Sequence, residues 1–274
     1  MLVPEPLRKI KINCQDIHLK SIPAGHGPSK LPACFRAARG VSVIIPTYNE
    51  EKNIGDCIHS IKKGGELAEI IVVDGGSTDR TREIVETLSG VSLFSSAPGR
   101  GIQIAAGVSH ARQDIVMVLH ADSRLLPGAI SRLLAALRNN PGAVGGCFGA
   151  IYDDKRIRMR WIEALNRFRA VVSGISFGDQ AQFFRREVFA DSFPAIKLME
   201  DIELSLRMKE KGALLFIPRG VIASSRVWQR AGYGSNFRKV IYLTALYLIK
   251  RRFGRLSGDC DDFYRKYYGN QSIR

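Results

Sequence analysis

Four short stretches carry the side chains best suited to chemistry: Thr47-Tyr48-Asn49-Glu50, Asp74-Gly75-Gly76-Ser77-Thr78-Asp79, Pro98-Gly99-Arg100-Gly101 and His120-Ala121-Asp122-Ser123. All four are polar, short and rich in carboxylate or glycine. Carboxylates and hydroxyls offer hydrogen-bonding edges. Glycines let the backbone approach a ligand closely. Arg100 offers a guanidinium that pairs with phosphate. Together the four describe a site for a polar, negatively charged ligand.

Each stretch follows a strand-like run. Val41-Ser42-Val43-Ile44-Ile45-Pro46 and Glu69-Ile70-Ile71-Val72-Val73-Asp74 read as buried strands, Val91–Ser95 as a third and Asp114–Leu119 as a fourth. Between and after them lie helical spacings at Glu50–Lys63, Asp79–Leu88, Arg100–Ala111 and Pro127–Asn139. Ser77 or Thr78 is the expected N-cap of the second helix, and Pro127 is expected in the first turn of the fourth. Strand alternating with helix predicts a mostly parallel sheet with helices on both faces. In such sheets ligands bind beyond the carboxyl ends of the strands, where the four stretches fall. The second half is less regular. Strands are expected at 142–152, 181–185, 213–217 and 221–223. Helices are expected at Arg156–Val172, with Ile157, Trp161, Leu165 and Phe168 on one face, at Glu200–Lys209 and at Gly234–Phe253.

Composition narrows the classes. The chain has 274 residues, 45% hydrophobic and 24% charged, which excludes wholesale disorder. The formal net charge of +15 points first to nucleic acid or membrane. By position, residues 1–39 carry 7 basic and 2 acidic side chains, 40–225 carry 23 and 21, and 226–274 carry 11 and 3. The excess therefore sits at the two ends. Five scattered cysteines (Cys14, Cys34, Cys57, Cys147 and Cys260) with no C-x-x-C pair argue against a disulfide framework or structural zinc. Met1–Lys11 lacks an apolar core of signal-peptide length. The longest uncharged apolar run, Val240–Ile249, is half the ~20 residues a spanning helix needs. A soluble or peripheral cytoplasmic protein is expected, in the latter case on the inner face of the cell membrane. No G-x-G-x-x-G follows the first strand and no P-loop occurs, which removes nicotinamide and P-loop nucleotide readings.

Val43-Ile44-Ile45-Pro46-Thr47-Tyr48-Asn49-Glu50 with Val72-Val73-Asp74-Gly75-Gly76-Ser77-Thr78-Asp79 resembles the opening of glycosyltransferase family 2, of the GT-A fold. The resemblance continues through Gly99-Arg100-Gly101, His120-Ala121-Asp122, Gly178-Asp179-Gln180 and Met199-Glu200-Asp201-Ile202-Glu203-Leu204. It covers about residues 40–230 and looks closest to small bacterial members without transmembrane helices. It implies an α/β GT-A fold with a mostly parallel central sheet and a mixed acceptor-side second half. Five prolines (Pro4, Pro6, Pro23, Pro28 and Pro32) and the loop-like Gly25-His26-Gly27-Pro28-Ser29 make residues 1–39 read as an appended, poorly ordered extension, with a short strand within Leu2–Leu19 as the alternative; the resemblance implies a catalytic domain at 40–230. The latter splits into a nucleotide-binding half, 40–123, and an acceptor half, 124–230. A basic amphipathic helical segment follows at 231–274.

The resemblance also implies roles. Asp74 would bond the nucleotide base, with Pro46, Thr47 and Glu50 around it and Arg100 on the donor. Asp122 would hold Mg²⁺ or Mn²⁺ and through it the diphosphate. Asp201 would be the base that deprotonates the acceptor, with Glu200 orienting it. Asp179 and Gln180 would meet the acceptor or donor sugar, and Arg226, Trp228 and Arg230 would close the donor site. One base opposite the leaving group gives inversion. A cation neutralises the departing diphosphate. The donor expected from the family is a UDP-sugar. The acceptor is open: a hydroxyl or carboxyl, including one on a lipid, isoprenoid or carotenoid-type acid. Two positions depart from the pattern. His120 stands where many members have the first acid of Asp-x-Asp, so His120 either replaces it as a ligand or leaves Asp122 alone. Gly75 stands where many have a second acid.

Plainer readings compete with each role. In these readings Asp74 and Asp79 simply cap the second helix, Asp201 is a first-turn acid favoured by the helix dipole, and His120 is a satisfied core residue; for Asp74 and Asp201 the motif favours the functional role. Rival functions are a non-catalytic sugar-nucleotide-binding protein, a nucleotidyltransferase and a basic nucleic-acid-binding protein. The acidic loops and the lack of a zinc-finger or RNP pattern count against nucleic acid. Residues 155–169 hold six basic side chains and one acid, and 226–255 hold eight and none. The second run, bracketing Val240–Ile249, suits an anionic membrane interface. A buried helix with solvated ends is the alternative.

Overall fold

Strand β1 (Val41–Thr47) is buried at all seven positions, so it needs cover on both faces. In this computed structural model, which describes residues 35–64, 68–189, 193, 196 and 198–254, that cover is complete. Strands β2 (Ala68–Asp74), β3 (Val91–Ser95) and β4 (Ile115–Val118) join β1 in parallel. The second half adds β5 (Arg124–Leu125), β6 (Ala143–Tyr152), β7 (Phe183–Arg185) and β8 (Ala213–Ala223). The sheet order is β3-β2-β1-β4-β7-β6-β8-β5. Strand β7 runs antiparallel between β4 and β6, which makes the sheet mixed on the side of the second half.

Helices α1 (Ile54–Lys62), α2 (Thr81–Glu86) and α4 (Ala129–Asn139) cover one face. There Val43, Ile45, Val72 and Met117 pack with Ile58, Leu133 and Leu137. Helices α3 (Arg100–His110) and α6 (Glu200–Lys211) cover the other, where Ile44, Ile71 and Val116 meet Ile104, Val108, Leu204 and Met208. The alternation along β1 assigns neighbours to opposite faces, as the pleat requires. Helix α5 (Ile157–Ser173) buries Met159, Ile162, Asn166 and Ala170. Short α7 (Arg226–Ala231) leads into α8 (Tyr233–Arg252), which packs on α6 through Leu243 and Tyr247.

Strand order sets the site. From β1 the chain steps outward to β2 and β3, then crosses to β4 on the other side of β1. The crevice where that direction reverses opens at the carboxyl ends of β1 and β4. Glu50 and Asp122 follow those two ends.

Several sequence expectations change. Helix α1 starts at Ile54, because Glu50 turns the chain first: its carbonyl accepts from the N–H of Asn53 and of Ile54. Neither Ser77 nor Thr78 caps α2; Asp79 accepts the Thr81 N–H instead. Pro127 precedes α4 rather than entering it. The two short strands at 213–217 and 221–223 are one, bent at Arg219 with φ 52°. Strand β5 and helix α7 were not expected. Residues 35–39 are not loose: Phe35 and Ala38 are buried, and Arg185 donates to the Arg36 carbonyl and lies over the Phe35 ring. Expectations for residues 1–34 and 255–274, with Cys14, Cys34 and Cys260, fall outside the described residues.

Candidate active site

The site grows from the ends of β1 and β2. The β1–β2 pairing runs through Pro46 to its last pair, Thr47 with Asp74, and Thr47 is buried, its hydroxyl donating to the Ile45 carbonyl. Gln103 of α3 reaches between the strands and donates from Nε2 to the Thr47 carbonyl at 2.8 Å and the Val73 carbonyl at 2.9 Å. Sequence reasoning missed Gln103. Its signal is a buried amide on a helix face otherwise filled by Ile104, Gly107 and Val108.

Asp74 is buried and holds its own loop. Its carboxylate accepts from the Gly76 and Ser77 N–H groups at 3.1 and 3.0 Å and from the Ser77 hydroxyl, and meets Arg82 at 3.4 Å. In this state it shapes the β2–α2 turn, the plainer of its two readings. Asn49, at φ 52°, stitches the β1 loop to this turn by accepting the Thr78 N–H, while Glu51 N–H donates to Asp79.

In the switch crevice, Glu50, Asp122 and Arg226 converge. Arg226 forms a two-pronged pair with Glu50, and its Nε lies 3.0 Å from Asp122 Oδ2. Burial raises the Asp122 carboxyl above its ordinary range; Arg226 opposes that rise and Glu50 adds to it. Two carboxylates on one guanidinium also meet the first need of a divalent cation, anionic oxygen from two sides. No group of three or more His, Cys, Asp or Glu side chains converges to hold a metal among the described residues. Atoms beyond these two carboxylates would have to complete such a shell. His120 is half-buried, with its Nε2 atom out of contact with solvent. Burial, then Arg100 and Arg226, hold it well below its usual value and therefore neutral. Its Nε2 has no protein partner and faces Gly178, where a Cβ would stand 2.4 Å away.

Gly178 joins this group to the acids of α6. Its N–H donates to Asp201 Oδ2 at 2.9 Å, and Asp201 Oδ1 accepts the Ile202 N–H at 2.7 Å. Asp201 is half-buried. Glu200 is buried and takes Arg100 at 3.2 Å on Oε1, while its Oε2 has no partner. Burial pushes the Glu200 carboxyl up to about 7; Arg100 pulls against this and Asp201 adds to it. Met199 stands in the left-handed region at φ 65° to turn the chain into α6. Gly101 is needed for close approach, since a Cβ there would lie 2.0 Å from the Ile196 carbonyl oxygen.

Asp179 and Gln180 form a 3-10 turn with Gly178. Asp179 is held by the Tyr152 hydroxyl and keeps one buried oxygen without a partner. Gln180 is fully buried and committed: it accepts from Arg169 at 2.8 Å and from the Phe177 N–H at 3.1 Å. It supports the turn from behind. Trp228 is half-buried against the first core cluster, and Arg230 is exposed on α7. The crevice thus gathers Glu50, Arg100, His120, Asp122, Glu200, Asp201 and Arg226. Asp74 lies at the end of β2, paired with Thr47, and Arg230 is exposed on α7.

A family model described as glycosyl transferase family 2 matches residues 42–193. The glycosyltransferase AglJ of Haloferax volcanii is 29% identical over 158 residues, which is 55% of this chain and 52% of AglJ. An undecaprenyl-phosphate 4-deoxy-4-formamido-L-arabinose transferase of Edwardsiella ictaluri is 32% identical over 40% of this chain and 38% of its own. The dolichol-phosphate mannosyltransferase of Pyrococcus furiosus is 37% identical over 36% of this chain and 30% of its own. The chain therefore spans about half or less of the length of these relatives. Among solved structures, residues 1–349 of S. aureus TarS superpose with a TM-score of 0.58 at 19% identity, over 68% of this chain and 61% of TarS 1–349. That likeness is one of fold. The same TarS fragment was solved with UDP-GlcNAc, TM-score 0.54.

Proposed function

The chain belongs to glycosyl transferase family 2, and from that premise we propose that it moves a sugar from a nucleoside diphosphate donor to an acceptor hydroxyl or carboxyl, with inversion. The observation that carries the reading is the convergence of Glu50, Asp122 and Arg226 in the switch crevice, next to Arg100, Glu200 and Asp201. A diphosphate needs cationic partners there, and an acceptor needs a carboxylate opposite the leaving group.

Each residue then has a task. The β1 and β2 ends, with Thr47, Glu50 and Asp74, receive the nucleoside. Asp122, with His120 Nε2 as the second ligand, would hold Mg²⁺ or Mn²⁺, which neutralises the diphosphate when bound. Arg226 leaves its carboxylates to pair with phosphate oxygens, and Arg100 supports the same charge from α3. Asp201 takes the acceptor proton. Its two backbone bonds fix the carboxylate, so the lone pair it offers keeps one direction. Glu200 holds Arg100 in place. Asp179 faces the sugar, and Trp228 closes the side near Tyr152. Two relatives have names in which the acceptor is undecaprenyl phosphate or dolichol phosphate. We take a lipid-carried acceptor for this chain as well, met by a protein peripheral to an anionic membrane. The donor base is taken as uridine, as in the ligands of TarS.

The test is calorimetry and sugar transfer with UDP-sugars and Mn²⁺. Asp201→Asn is expected to abolish transfer while donor binding survives. Asp122→Ala is expected to remove metal-dependent donor binding. Near-normal turnover of Asp201→Asn, or unchanged affinity in Asp122→Ala, overturns the assignment. A second reading, donor binding without transfer, is favoured by the one replaced acid at His120. Its signature is tight UDP-sugar binding with no turnover of any acceptor.

A further inference from the structure

Helix α5 is inside-out relative to its neighbours. The face that periodicity singles out, Ile157, Trp161, Leu165, Phe168 and Val172, is not core. Ile157 is 74% exposed, Trp161 68% and Phe168 65%. The buried face is the opposite one, Met159, Ile162, Asn166 and Ala170. At 100° per residue the exposed five fall within one stripe about four turns long, roughly 22 Å. A stripe of that size on a water-exposed helix marks an interaction surface.

Charge selects the partner. Arg160 and Arg167 flank the stripe on one side and Arg158 on the other, all exposed. Arg160 pairs with Glu163, the one acid of the helix, and Arg158 lies 4.0 Å over the Tyr233 ring at the start of α8. Helix α8 continues the pattern with exposed Phe237, Ile241, Tyr242, Ile249 and Phe253. Among the described residues, Tyr48 is the one large exposed hydrophobic side chain outside α5 and the α7–α8 segment. A second copy of this chain would bring arginine flanks against arginine flanks. An anionic bilayer offers apolar depth for the stripe and phosphate for the arginines at once. A tryptophan within such a stripe suits the headgroup level.

We propose that the outward face of α5, with Trp161 and Phe168 as its deepest anchors, docks the protein on anionic phospholipid bilayers. This deepens the reading of a lipid-carried acceptor and rests on it for its purpose. It also moves the membrane contact: α8, from which it was expected, spends Leu243, Tyr247 and Arg251 on α6, where Tyr247 and Arg251 bind Glu203.

The experiment is flotation of the full chain with vesicles of phosphatidylcholine containing about one third phosphatidylglycerol. Tryptophan emission is read in parallel, the contribution of Trp161 rather than Trp228 being the part that the Trp161→Ser variant loses. Wild type is expected to float at low salt and to shift its emission to the blue. Binding should weaken as salt screens the arginines. Trp161→Ser with Phe168→Ser is expected to lose binding about tenfold or more, and Arg160→Gln with Arg167→Gln about 25-fold, from roughly fivefold per charge. Circular dichroism and UDP binding should be unchanged in both, since these side chains are exposed and none of them is among the crevice residues. Absence of wild-type flotation overturns the surface, as does equal flotation of the Trp161 and Phe168 variant. A dimer in wild type that this variant dissolves, without vesicle binding, assigns the face to a second copy and also overturns it. Normal flotation with no UDP binding would instead defeat the donor reading and leave the surface standing.

Discussion

Glu200→Gln isolates the most strained charge of the site. Glu200 is 2% exposed, its Oε2 has no partner, and its carboxyl titrates near 7 instead of the 4.5 of a free glutamate. The folded state thus holds the proton more tightly than the unfolded chain. The stabilisation this represents is complete below the unfolded value and is lost as pH rises through the folded one. The span from 4.5 to about 7 corresponds to about 3 kcal/mol in all. Between about pH 5.5 and about pH 8 the linkage relation leaves about 2 kcal/mol of it. Glutamine keeps the shape and an oxygen for Arg100 but cannot ionise. Urea unfolding of wild type and variant at both pH values is the assay. The variant is expected to gain about 2 kcal/mol relative to wild type on going to the higher pH, while its transfer activity falls as Arg100 loses its charged partner. Parallel stability curves for the two proteins would refute the raised carboxyl and, with it, the account of Glu200 as an acid held against its own charge.

Other consequences concern the frame. Gly178→Ala places a Cβ against His120 Nε2 and is expected to destabilise by about 1–3 kcal/mol, with part of the loss recovered by His120→Ala in the same chain; thermal melts of the three variants check it. Gln103→Leu leaves the Thr47 and Val73 carbonyls without their side-chain donor and is expected to cost about 2–3 kcal/mol, read by urea unfolding, with weakened UDP binding. Arg226→Met removes the cation shared by Glu50 and Asp122, so UDP affinity should fall at least tenfold at low metal and partly recover as Mn²⁺ is raised, measured by calorimetry.

Much of the first half was legible because local signals agree. β1 and β2 are continuous apolar runs, and their polar ends read as loops whether or not the neighbours are known. The second half resisted for physical reasons. Strand β7 has three residues and β5 two, so their pairing depends on β4, β6 and β8 rather than on their own periodicity. Arg226 looked like one of two equivalent arginines, and only tertiary folding brings it to Glu50, far away in sequence, while Arg230 turns outward. Asp74 and Gln180 show the limit of motif reading. Each stands at its expected position with its hydrogen bonds already taken up within the protein: Asp74 by its own turn and Arg82, Gln180 by Phe177, Arg169 and Phe148. The stripe on α5 was visible as periodicity, but period alone does not say which face is buried.

The buried polar atoms separate a functional crevice from a collection of caps. Among the described residues, the buried side-chain atoms without a partner are His120 Nε2, Asp179 Oδ1 and Glu200 Oε2. Each costs about 1–3 kcal/mol if left so. All three belong to one neighbourhood: Gly178 touches His120, precedes Asp179 and binds Asp201, the neighbour of Glu200. Among the described residues, three of the four non-glycine residues at positive φ, Asn49, Ala181 and Met199, flank the same loops. A cap or a core histidine would finish its hydrogen bonds, as Asp74 and Asp79 do. Unfinished bonds and backbone strain gathered in one crevice, with an otherwise well-packed sheet around it, are what a site awaiting a polar ligand carries.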